Sequence, residues 1–291
     1  MAYTADNLLS AIERKSFAPS GQSTYSNADI LAMADEGIMS ELMPDILAVR
    51  EEFFVFTKDF SIVASQSEYL IPPRAASGVL RDVRLVGVNG GTKDLTRIEP
   101  DDRDTTNEGS PHSYYLQDNK IVVYPTPNSS TNTLKVSFFL ERGALVEASS
   151  GAVISAINTS TNVVTVTTIP STWATGNSFD LISKGGSHSY KDIDLTSTLV
   201  SGNDITLPSL PSSLVVGDYI NLAEQSSVVQ LPSSYRSVLA QLVAAEILDN
   251  MNQAGAKQAK EKTQLLKESA RSIITPRVQG DTRVITPKNW F

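Results

Sequence analysis

The 291-residue chain carries a formal net charge of −8, is 41% hydrophobic, and has no cysteine and only two histidines. This composition fits two or three folded units and leaves nothing from which to build a disulfide framework, a thiolate metal site or a cysteine nucleophile. No apolar run reaches the ~18 residues of a membrane helix, and the opening Met1-Ala2-Tyr3-Thr4-Ala5-Asp6 lacks the basic and apolar regions of a secretory signal, so synthesis in a cytosol is expected.

The first fifty residues read as helices. Leu8, Leu9 and Ile12 make a short apolar face, followed by a break at Pro19-Ser20-Gly21. Ser26-Asn27 can cap a second helix, on which Ile30, Leu31, Ala34, Ile38 and Leu42 recur at helical spacing. Pro44 predicts a kink or a fresh start, because it has no N–H and its ring clashes one turn back. From Phe53 the period changes to two. Strands are expected around Phe54–Phe56, Phe60–Val63, Tyr69–Ile71, Leu80–Val88 and Leu134–Leu140, with a hairpin from Ser113 to Tyr124 turning at Gln117-Asp118-Asn119.

One internal repeat follows. A shift of 41 places lays Asn162–Val166 on Asn203–Leu207, Pro170-Ser171 on Pro211-Ser212, Gly176 on Gly217, and Phe179–Leu181 on Ile220–Leu222. Each copy reads as strand, Pro loop, Gly turn and strand, and two copies predict a small pseudo-twofold barrel. Beyond Leu231-Pro232, Tyr235, Leu239, Leu242, Val243, Ile247 and Met251 form a broad stripe that predicts a helix buried on more than one side. After Gly255, Ala259, Thr263, Leu266, Ala270 and Ile273 give a thinner stripe on a charged helix that Pro276 ends.

The expected fold is α+β: terminal helices meeting in one bundle, an antiparallel β-sheet module, a small inserted β-barrel-like domain and an extended C-terminal arm. The corresponding segments are residues 1–52, 53–148, 149–226, 227–275 and 276–291. From Met251 to Phe291 eight basic residues face three acidic ones, so this stretch is +5 and the preceding 250 residues carry −13.

Chemistry is sparse. His112 and His188 read as exposed loop residues, and neither belongs to a metal-ligand spacing. The carboxylates of Glu99, Asp101 and Asp102, or of Asp192 and Asp194, could in principle serve as a glycosidase acid and base, but acidic loops are more often solvated turns or caps. Val88-Asn89-Gly90-Gly91-Thr92 lacks the lysine of a phosphate loop, and no nucleic-acid module is recognisable. No catalytic, cofactor or metal residue is therefore assigned. Ile273, Ile274, Val278, Val284, Ile285, Trp290 and Phe291 are too apolar for a free tail and need burial in this chain or in a partner.

Three segments, Ile71–Val83, Tyr114–Pro127 and Ile273–Gly280, resemble the head-to-tail adaptor (neck or connector) proteins of tailed bacteriophages. The resemblance implies a non-enzymatic virion protein, made in the host cytoplasm and located in the neck, that forms a ring of commonly twelve copies beneath the portal. Its other face would meet a tail or neck ring protein, and genomic DNA would pass through its channel; no cofactor or membrane is implied. It places Ile273, Ile274, Pro276, Arg277 and Val278 at or near the portal contact. Arg283, Ile285 and the aromatic pair Trp290 and Phe291 extend that docking arm, the aromatics as anchors. The alternatives are a tail terminator or tube component, or a virion-borne glycan-hydrolysing or glycan-binding protein, in the last case with Trp173 as a contact unless it packs inside the insert.

Overall fold

The computed structural model describes residues 3–16, 24–102, 108–253 and 255–275. The fold is mixed α+β, with few helices and several sheets. Five α-helices are present among the described residues: α1 (Ala5–Ser16), α2 (Asn27–Gly37), α3 (Met43–Leu47), α4 (Ser233–Asn250) and α5 (Ala256–Ile274). Helix α2 starts at a capping box, with the Ser26 hydroxyl accepting from the Asp29 N–H and the Asp29 carboxylate accepting from the Ser26 N–H.

The chain does not break at Pro44. A π-helical turn over Ile38–Leu42 joins α2 to α3, and the Met43 N–H bonds back to the Ile38 carbonyl. The proline sits in the first turn of α3, where its missing donor is tolerated, so the fresh start expected at Pro44 is made through a wider turn. Leu8, Ile12, Leu31, Leu42 and Ile46 then share one apolar core with Tyr235, Leu239 and Val243 of α4, which is buried on several sides, and with Ala270 of α5. Small residues Ala256, Ala259, Thr263 and Ala270 form the buried face of α5. The start of the chain is tied in as well, because Tyr3 to Ala5 run beside Ser227 to Val229, with Ala5 N–H on the Ser227 carbonyl and Val229 N–H on that of Tyr3.

Two four-stranded sheets form a second core. In the first, Val55–Ser61, Thr133–Leu140, Ala75–Val86 and Thr92–Asp94 lie side by side, all antiparallel. The second holds Glu68–Leu70, Lys120–Tyr124, Ser113–Gln117 and Thr96–Arg97. The Ser113–Tyr124 hairpin forms as the alternation predicts, and Asp118 takes the positive φ that the tight turn demands. Residues 60–63 add no separate strand, since Phe60 and Ser61 end the first one.

The repeat builds the third core. Each repeat strand pairs antiparallel with its own counterpart: Val164 lies opposite Ile205, Phe179 opposite Leu222 and Leu181 opposite Ile220. Leu207 N–H bonds to the Asn162 carbonyl, and the equivalent Val166 N–H bonds to that of Asn203. Gly176 and Gly217 hold equivalent left-handed turns at φ 90° and 92°. The pseudo-twofold is therefore real, but the barrel is not closed. Seven strands form one sheet whose edges, Tyr190–Thr196 and Leu199–Ser201, are consecutive in sequence yet joined by no ladder among the described residues.

Candidate docking surface

The sequence predicts for helix α5 a charged face over a thin apolar stripe, and three of its five basic residues find acidic partners inside the molecule. Lys260 Nζ lies 2.7 Å from Asp249, Lys267 Nζ 3.7 Å from Glu41, and Arg271 3.6 Å from Asp45. Asp45 also accepts the Tyr235 hydroxyl proton at 2.6 Å, and burial together with that carboxylate pushes the Tyr235 phenol upward. These exposed pairs contribute little each. They offset part of the helix's cationic character and leave Lys257 and Lys262 on the exposed face.

The end of α5 divides the two isoleucines. Ile274 packs on the helical core, whereas Ile273 is 67% exposed and leaves the stripe predicted for it. Thr275 closes the helix, its N–H and hydroxyl both donating to the Arg271 carbonyl. Leu265 is equally bare. Pro276, Arg277, Val278, Arg283, Ile285, Trp290 and Phe291 lie outside the described residues.

Two buried polar junctions hold the body that carries this surface, and the sequence pointed to neither. Arg74, following Pro72-Pro73, donates to Asp180 at 2.6 Å and to the Tyr190 hydroxyl oxygen at 3.2 Å, with Asp194 at 3.6 Å. Asp180 is fully buried and also accepts from the Asp194 and Glu224 N–H groups. Its repeat mate Asn221, equally buried, accepts from the Ser227 N–H. One twofold-related position thus clasps the sheet module, and the other clasps the strand leading to α4.

At the second junction His188 is 1% exposed, which corrects its reading as a surface residue. Its Nδ1 donates to the Ser183 carbonyl at 2.9 Å and its Nε2 accepts from the Tyr3 N–H at 3.2 Å, an arrangement that requires the neutral ring. Burial holds its ionisation below the ordinary histidine value. It therefore contributes stability above about pH 6.5 that is lost as pH falls. Arg236 stacks over the Tyr3 ring, and Gln230 donates to the His188 carbonyl, joining the start of the chain, the insert and α4.

The carboxylates considered for glycoside chemistry fall in different surroundings. Asp194 serves the Arg74 clasp, Asp192 accepts from the Ile193 N–H, and Asp101 lies exposed in a short turn. Trp173 is 6% exposed and packs edge-on against Phe179 at 4.9 Å, inside the insert, as its repeat mate Leu214 suggested. Among the described residues, no group of three or more His, Asp or Glu could hold a metal, and no helix is long and apolar enough to cross a membrane.

A family model described as SU10 adaptor protein matches residues 3–176, well over half of the chain. The matched stretch takes in α1 to α3, both four-stranded sheets and the first copy of the repeat as far as Gly176. No curated protein matches the sequence.

Proposed function

Because the chain belongs to the SU10 adaptor protein family, as its resemblance to phage head-to-tail adaptors leads one to expect, we propose that its structural role is exercised as a ring under the portal. In this reading it is a virion component, present in about twelve copies, that joins the portal to a tail or neck ring protein and lines part of the DNA channel. Residues 276–291 dock on the portal, and Ile273 opens the contact. The observation that carries the reading is the division at the end of α5, where Ile274 is packed and Ile273 is left bare, two residues before the end of the described chain. An exposed apolar residue at such a point favours burial in a partner. The −13 carried by the first 250 residues suits a channel that must let DNA slide without gripping it.

Deleting residues 276–291 should leave the thermal unfolding of the body unchanged and abolish co-sedimentation with portal rings. Ile273→Asp should weaken that association at least tenfold while shifting stability by no more than about 0.5 kcal/mol, the usual range for surface substitutions. Normal assembly of the truncated chain on portal would remove the docking role.

A further inference from the structure

Arg142 is anomalous beside Arg74. Both guanidinium groups lie where the sheet module meets the insert and the helices, but Arg74 has two carboxylates and Arg142 has none. Its Nε is sealed from solvent without a hydrogen-bond partner, and among the described residues its side chain makes no hydrogen bond or ion pair. Its one close companion is the ring of Phe54, 4.5 Å from the guanidinium carbon. Asp35 is near enough for each charge to act on the other, yet its carboxylate is committed to the Leu145 N–H at 2.8 Å and does not reach ion-pair distance. Arg142 is partly buried: Nε is the guanidinium nitrogen that is sealed without a partner, and no carboxylate stands at ion-pair distance from the group.

Arg142 lines a half-open pocket with Phe53, Phe54, Phe56 and Leu140 as apolar walls and Tyr190 beside them. The Tyr190 oxygen already accepts from Arg74 at 3.2 Å and from the Gly143 N–H at 2.9 Å, so its own proton is left to donate. The pocket thus offers a guanidinium above aromatic walls, with the Tyr190 side chain in its lining. We propose that it receives a carboxylate borne on an apolar stem, supplied by an acidic side chain next to an aromatic residue in a partner protein. Charge selects this occupant: a neutral apolar side chain would leave Arg142 unpaired, and a phosphate would bring no stem for the phenylalanine walls. The assignment does not depend on where the C-terminal arm docks.

The test uses the full chain labelled with ¹⁵N, following the Arg142 Nε–H resonance, assigned by its loss in Arg142→Gln. The probes are N-acetyl-Phe-Glu amide, its Phe-Gln counterpart, phenylacetate and phenylacetamide. The expected result is saturable displacement of that resonance by the two acids, at least tenfold weaker displacement by the two amides, and loss of calorimetric binding in Arg142→Gln. Equal response to acid and amide, or no saturation, overturns the proposal. Saturation by phenylacetate but not by the Phe-Glu peptide overturns the protein source of the carboxylate. Should Arg142→Gln fail to fold, the acid-against-amide comparison on the unaltered protein still decides.

Discussion

At Asp35, burial outweighs hydrogen bonding. The carboxylate accepts one backbone N–H, from Leu145, but desolvation pushes it up to about 6. With the folded value above the unfolded one, the folded state holds a proton that the unfolded chain has released between about pH 4 and pH 6, so stability declines as pH rises through that window. Asn keeps the acceptor and cannot ionise. Asp35→Asn should therefore be more stable than the parent by about 2 kcal/mol at pH 8, with the advantage vanishing near pH 4, as urea unfolding at the two pH values would register. His188 titrates with the opposite sign, so the comparison must be made between variants and not along one pH curve. Gly143 is constrained by space: a Cβ there would stand 2.7 Å from the Gln225 nitrogen and 2.8 Å from the Glu224 carbonyl carbon. Both are backbone atoms and cannot swing aside. Gly143→Ala should cost at least about 1–3 kcal/mol in the same assay.

At the scale of elements, what could be read from the sequence depended on whether the signal was local. The Ser113–Tyr124 hairpin follows from alternation and a turn-forming Asp-Asn pair, and the apolar faces of α1, α2 and α4 follow from spacing. The repeat was visible as register-preserved apolar positions. Its closure was not, because closing a barrel depends on whether Tyr190–Thr196 and Leu199–Ser201 meet across the bend at Ser197 and Thr198, which no pattern encodes. The π-turn before Pro44 was hidden for a related reason: a proline announces a missing donor and says nothing of the wider turn that leads into it. His188 looked exposed because its Nε2 partner stands 185 positions away. Arg74 and Asp180, separated by 106 positions, were hidden in the same way. On α5 the stripe was correct as far as Ala270 and wrong by one residue at its end, where Ile274 turns inward instead of Ile273.

On the scale of the whole molecule, three apolar cores among the described residues are joined through a few polar residues, and of the ion pairs described there Arg74–Asp180 is the most buried. Truncating one partner of a buried pair typically costs about 3–5 kcal/mol, because the other charge is left without a counter-ion. Arg74→Ala should therefore loosen the insert from the sheet module first. Scanning calorimetry is expected to show a separate, lower transition for the insert where the parent shows one, and a single undivided transition at the parent temperature would mean the joint carries no coupling.

The insert also leaves and rejoins the rest of the chain at one place. Ala144–Leu145 and Gln225–Ser226 run parallel and hydrogen-bonded, so the outgoing and returning segments travel side by side. This short seam sets Leu145 beside Ser226, so the sheet module and the approach to α4 are joined across it as well as through the roughly eighty residues between. The insert is thus a side branch whose two ends are held together, so a change in the length of its outer loops need not move the sheet module relative to α4.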